Sequence, residues 1–171
     1  MSWLPAAVFC AVPVKHAINI RNRRLPVKTW IVDIDGTVAI MSDRSPFDWK
    51  RVGEDLPNEP VIRVVLALLE AGDNVIFMSG RMEQSRLQTE LWLGVQIGQH
   101  YPVFCTDPCC SPLFMRADDD YRADNIVKRE LYETHVLGNY DVIGVIDDRA
   151  SVVEMWRDMG FTCLDVAGHD F

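Results

Sequence analysis

Residues 29–33 run Thr-Trp-Ile-Val-Asp, and Ile-Asp-Gly-Thr follows at once. No other stretch limits the fold of this chain as strongly. Its first four side chains are β-branched or aromatic and show no polar alternation. That predicts a strand over residues 29–35 covered on both faces. Yet the strand closes in two aspartates, Asp33 and Asp35. Residues two apart on a strand share a face. Carboxylates held side by side favour protonation unless a cation lies between them. A buried strand with that ending implies a cation site or a shared proton at its carboxyl end.

The rest of the chain alternates strands with helices. The segment 58–72 predicts a helix capped by Asn58, with Pro60 in its first turn and Gly72 at its stop. Residues 74–79 read as a second strand, and residues 83–95 as a helix with Leu87, Leu91 and Val95 on one face. Residues 101–105 read as a short third strand, followed by an irregular stretch rich in turn formers. A helix capped by Asp124 and stopped by Gly138 comes next, then a fourth strand over 141–148, a helix ending at Gly160, and a fifth strand over 161–167. Strands joined by helices imply right-handed crossovers and a parallel sheet with helices on both faces. This is an α/β, Rossmann-like domain over residues 28–171, with residues 1–27 as an N-terminal arm or extra strand.

In such sheets the ligand lies beyond the carboxyl ends of the strands. The polar residues expected there are Asp33 and Asp35, then Ser79-Gly80-Arg81, then Asp147-Asp148, with Lys128 in the first turns of the intervening helix. Oxygen donors with room for water suit Mg²⁺, which bridges carboxylate and phosphate. Lys128, one of four lysines in the chain, would keep a nearby Asp33 ionised and neutralise phosphate charge.

Composition narrows the setting. With 171 residues and 49% hydrophobic content the chain suits one domain with a real core. No apolar run reaches membrane-spanning length, so no membrane partner is expected. The apolar start lacks a basic leading region and carries Pro5 and Pro13, which argues against a secretory leader. Five cysteines without framework spacing point to reduced thiols and a cytoplasmic setting. His100, Cys105, Cys109 and Cys110 fit no zinc template. A net charge of −8 argues against groove binding of duplexes, but not against gripping a strand end, where few phosphates are touched.

The order Asp33-x-Asp35-Gly36-Thr37, Ser79, Lys128, Asp147-Asp148 resembles the haloacid dehalogenase superfamily of phosphotransferases. All four of its signature motifs are present in order. Within it, Met78-Ser79-Gly80-Arg81, the stretch 122–131 and the closing stretch 146–171 resemble the 3′-phosphatase domains of phage polynucleotide kinase/phosphatases. The resemblance covers roughly residues 29–171. It implies a five-stranded sheet of order 3-2-1-4-5 with a minimal cap. It further implies Asp33 as nucleophile and Asp35 as general acid and base. Mg²⁺ would be held by Asp33, the backbone carbonyl of Asp35, Asp147 and Asp148. Thr37, Ser79, Gly80, Arg81, Arg122 and Lys128 would bind substrate. Two departures stand out: no GxxxxGK[ST] kinase loop occurs, and Asn125 replaces a second acidic residue.

Arg81 and Arg122 are equally readable as ion-pair partners, and Asp118–Asp120 as a solvated loop. The short insertion between Thr37 and the first helix makes a flap, not a cap domain. An open site suits 3′-phosphorylated nucleic-acid ends, DNA or RNA. A small-molecule nucleotide phosphatase and a non-catalytic binder of such ends are the competing readings. The residues leave open a homo-oligomer and a separate kinase or ligase partner.

Overall fold

The computed structural model describes residues 27–98 and 113–167. The strand predicted over 101–105, the four residues weighed as a zinc cluster and the N-terminal arm up to residue 26 lie outside them. Five strands, β1 (Lys28–Val32), β4 (Asn74–Met82), β5 (Leu113–Arg116), β6 (Asp141–Asp147) and β7 (Cys163–Asp165), form one sheet. Its order is β5-β4-β1-β6-β7 with every pair parallel, which is the expected 3-2-1-4-5 arrangement. The third sheet strand is thus Leu113–Arg116, inside the stretch expected to be irregular. Its Leu113, Met115 and Arg116 are buried beside β4, so tertiary pairing overrides the local turn signals.

Alternation along the strands feeds two cores. On one face α1 (Glu59–Glu70) and α2 (Arg86–Ile97) pack Val61, Ile62, Val65, Trp92, Leu93 and Ile97 onto Val32, Val75 and Phe77. On the other, α3 (Asp124–Leu131), its π-helical continuation Tyr132–Val136 and α4 (Ala150–Asp158) pack onto Ile31, Ile76, Met78 and Val145. Met155 and Trp156 are core residues, as their types suggest. The stripe Leu87, Leu91 and Val95 is turned outward instead. Thr89, Trp92, Leu93 and Ile97, also at helical spacing, face the sheet.

Two expected caps do other work. Asn58 precedes α1 but makes no side-chain cap bond; its Nδ2 donates to the Thr37 carbonyl at 2.8 Å and so ties the helix to the turn after β1. Asp124 is the first residue of α3, not its cap, and its carboxylate accepts from Arg116 and Arg149. Between the turn and α1, β2 (Ala39–Ile40) pairs antiparallel with β3 (Leu56–Pro57) and closes a flap that holds a 3-10 helix over Trp49–Glu54. Among the described residues no helix is long and apolar enough to cross a membrane.

Candidate active site

β1 stops at Val32, three residues short of the predicted end. The backbone then turns: Thr37 and Ala39 both donate from N–H to the Ile34 carbonyl, and Gly36 donates to that of Ala39. Gly36 has φ +83, a conformation that favours glycine. A Cβ there would also run into the Asp148 carboxylate. We expect Gly36→Ala to destabilise the domain by roughly 1–3 kcal/mol and to displace Asp148. Thermal melting and phosphate release check this; a variant matching the parent in both would show that the turn tolerates a side chain.

The turn sets Asp33 and Asp35 in different surroundings. Asp33 is buried, and its Oδ1 accepts from Lys128 Nζ at 2.6 Å. The same ammonium donates to Asp147 Oδ2 at 2.7 Å. Asp147 Oδ1 accepts from the Arg149 N–H at 3.1 Å. The Thr37 hydroxyl lies 3.1 Å from Asp148 Oδ1 and 3.5 Å from Asp33 Oδ2. Asp33, Asp147 and Asp148 each present an oxygen within 4.8 Å of the others.

Three carboxylates against one ammonium leave the cluster negative. Burial, with the charges of Asp147 and Asp148, holds the Asp33 carboxyl well above the usual range, and Lys128 only partly opposes this. Burial and the Asp147 charge likewise raise Asp148. Burial pulls the Lys128 ammonium down, but Asp33 and Asp147 outweigh it and hold it raised. An all-oxygen trio with uncancelled charge fits a hard divalent cation.

Asp35 does not join that trio. Its carboxylate takes both Arg81 Nε at 2.9 Å and Arg81 Nη2 at 2.8 Å, and Arg44 Nη2 at 3.2 Å. Both arginines also grip Asp55. Arg44 donates to it from Nε and Nη2, each at 2.7 Å, and Arg81 from Nη2 at 2.7 Å. Arg81, Arg44 and Asp55 are fully or almost fully buried. The guanidinium of Arg81, a candidate for phosphate in the sequence, is therefore turned onto Asp35, Asp55 and the Thr89 hydroxyl. Arg44 and Asp55 had no signal in the sequence. Each is one charge in a short flap, and their charged partners lie up to 26 residues away.

Ser79 is buried at the end of the regular β4–β5 pairing, and its Oγ accepts from the Arg81 N–H at 3.1 Å. Gly80 follows in the bulge. Arg122 stands half-exposed, paired with Asp120 and Glu130 at 2.7 Å each. Its hydrogen bonds draw the Asp120 carboxyl down to about 2. The structure thus brings Asp33, Thr37, Lys128, Asp147 and Asp148 into contact and leaves Arg122 in ion pairs of its own.

The family model of the polynucleotide kinase PNKP phosphatase domain matches residues 27–171. A protein of Autographa californica nuclear polyhedrosis virus, described as a bifunctional polynucleotide kinase/RNA ligase, is 37% identical over 131 residues. The match covers 75% of this chain and 18% of that protein. A chain of the Pnkp1/Rnl/Hen1 RNA repair complex superposes with a TM-score of 0.74 at 36% identity, over 85% of this chain and 44% of its own. The class C acid phosphatase of Bacillus anthracis shares the fold, with a TM-score of 0.55 at 14% identity over 86% of this chain and 69% of its own. The chain thus spans under a fifth of the viral relative and under half of the repair-complex chain.

Proposed function

The chain belongs to the PNKP phosphatase-domain family and is a phosphatase; from that premise we propose that it removes the 3′-terminal phosphate from DNA or RNA ends. The observation that carries the chemistry is the buried Asp33–Lys128–Asp147 contact, with Asp148 and Thr37 beside it. Asp33 is the nucleophile. Its carboxylate oxygen bonds to phosphorus while the bond from phosphorus to the 3′ oxygen breaks. Asp35 gives its proton to that departing oxygen. A water then attacks the aspartyl-phosphate, Asp35 takes the water's proton, and inorganic phosphate leaves with Asp33 restored.

Asp33, Asp147 and Asp148, with the Asp35 carbonyl, would hold Mg²⁺, which when bound supplies positive charge to the phosphoryl oxygens. Lys128, the Ser79 hydroxyl and the Gly80 N–H hold those oxygens in place. Thr37 holds Asp148 by its 3.1 Å hydrogen bond. Arg81 and Arg44 orient Asp35 from beneath, where their burial keeps them off the substrate. Arg122 remains a candidate contact to the strand at the rim.

The polynucleotide reading rests on two supports. The flap between Thr37 and α1 is short, so a small substrate finds little to orient it. The relatives are described by polynucleotide work, an RNA repair complex and a kinase/ligase. A kinase or ligase partner follows as part of the proposal. The test is paired kinetics on a 3′-phosphorylated oligonucleotide, a 3′-mononucleotide and a 5′-phosphorylated oligonucleotide. We expect kcat/KM to be at least about tenfold higher on the first than on the second, and the third to be spared. Few phosphates are touched, so salt dependence should be shallow. Equal efficiency on oligonucleotide and mononucleotide would instead make it a general nucleotide phosphatase.

A further inference from the structure

Arg116 ends β5, yet its side chain does not reach solvent; it is only 8% exposed. The pairing of β4 with β5 jumps here. Ser79 is opposite Met115, but the next pair is Met82 with Arg116, so Gly80 and Arg81 bulge out of the ladder. That bulge turns the Arg81 side chain under Asp35 and leaves the Gly80 carbonyl without a strand partner. Arg116 supplies one, donating from Nε at 2.8 Å. Its Nη1 donates to the carbonyls of Asp120 at 3.0 Å and Arg122 at 2.7 Å. Its Nη2 donates to the carboxylate of Asp124. One guanidinium thus joins the bulge, the loop 117–123 and the first residue of α3.

The contact between bulge and helix is close. A Cβ on Gly80 would lie 2.6 Å from Asp124 Oδ1, so the absence of a side chain there sets how near α3 approaches. Four residues along α3 is Lys128, which bridges Asp33 and Asp147. Loop 117–123 is fastened a second time where Asp118 Oδ1 accepts from the Gln84 N–H at 2.9 Å. Nothing in the chemistry described above uses Arg116, yet a buried guanidinium with all these acceptors is a costly group to keep unless its geometry matters.

We propose that Arg116 is a positioning residue that sets the span between the Gly80 peptide and the Lys128 ammonium, and so the width of the phosphate seat. The proposal rests on the reading of Gly80 and Lys128 as the groups that hold the phosphoryl oxygens. It predicts an effect on every phosphomonoester alike, because the seat and not the leaving strand is disturbed. A shift of about 1 Å in such a group lowers rates by about a hundredfold. Lysine cannot replace the fork, since a single ammonium does not reach the Gly80 carbonyl, two loop carbonyls and Asp124 together.

The experiment compares the parent with Arg116→Ala, Arg116→Lys and Val136→Ala, a fully buried core position on the face below α3 that makes none of these hydrogen bonds. Each is assayed on p-nitrophenyl phosphate and on a 3′-phosphorylated oligonucleotide, with melting temperature measured alongside. We expect Arg116→Ala to lose about a hundredfold in kcat/KM on both substrates, and millimolar guanidinium ion to restore at least tenfold of it. Arg116→Lys keeps a cation for Asp124 and is the variant that folds even if alanine does not; it should still lose more than tenfold. Val136→Ala should melt lower and keep its rate. Arg116→Lys within threefold of the parent overturns the proposal. So does loss that guanidinium leaves unchanged and that Val136→Ala shares in proportion to its melting. The substrate reading is judged separately, by the parent's preference for oligonucleotide over mononucleotide, which none of these ratios enters.

Discussion

Asp33→Asn should release phosphate at least about a thousandfold more slowly than the parent while melting no lower in the absence of metal. The rate falls because an amide oxygen does not form the phosphoryl-enzyme bond. The fold survives because the substitution keeps the shape and leaves Lys128 paired with Asp147 at 2.7 Å. Stability should rise with pH relative to the parent. Burial first, then Asp147 and Asp148, hold the Asp33 carboxyl well above its ordinary value against the pull of Lys128. The folded parent therefore binds that proton more tightly than the unfolded chain does. Its contribution is fully present below the unfolded pKa of about 4 and is lost as pH rises through the raised folded value. Asparagine has no such proton to lose. Melting in chelator at pH 5 and pH 8, with single-turnover phosphate release, checks both halves. A variant within tenfold of the parent rate would remove Asp33 from the chemistry.

Asp55→Ala should be the most destabilising single change in the flap. Its carboxylate is fully buried and takes three charge-assisted bonds of 2.7 Å from Arg44 and Arg81. A fourth, from the Ser42 N–H, is 3.3 Å long. Removing one member of a buried ionic network leaves the others unpaired, at roughly 3–5 kcal/mol. For a domain of this size that lowers the melting temperature by about 10 °C. Asp55→Asn, which keeps acceptor and shape, should lose less. Activity should fall in both, because Arg81 and Arg44 hold Asp35 as well as Asp55 and will relax toward the one carboxylate left. Melts of the two variants, with kcat on p-nitrophenyl phosphate, decide it. An Asp55→Ala protein melting within 3 °C of the parent would mean that the two arginines find other partners or water.

The strand-helix alternation was enough to give a parallel sheet with helices on both faces, and the polar ends of the strands to place Asp33, Lys128, Asp147 and Asp148 at one sheet edge; the strand order came only with the family resemblance. These signals are local: a run of β-formers, a helical period, an aspartate just past an apolar strand. Parallel topology then converts local ends into one shared edge, which is why residues 95 and 19 positions apart meet on a single ammonium. What only the tertiary structure decided is which way side chains turn once several partners compete. Arg81 could reach a phosphate or an acid by its sequence; a bulge in β4 and a flap aspartate commit it to Asp35 and Asp55. Arg44, Asp55 and Arg116 carry no motif, because their roles lie in burial and in partners drawn from separate elements. The edge strand Leu113–Arg116 was hidden for the same reason. Its flanks carry turn formers, and only pairing with β4 makes it a strand.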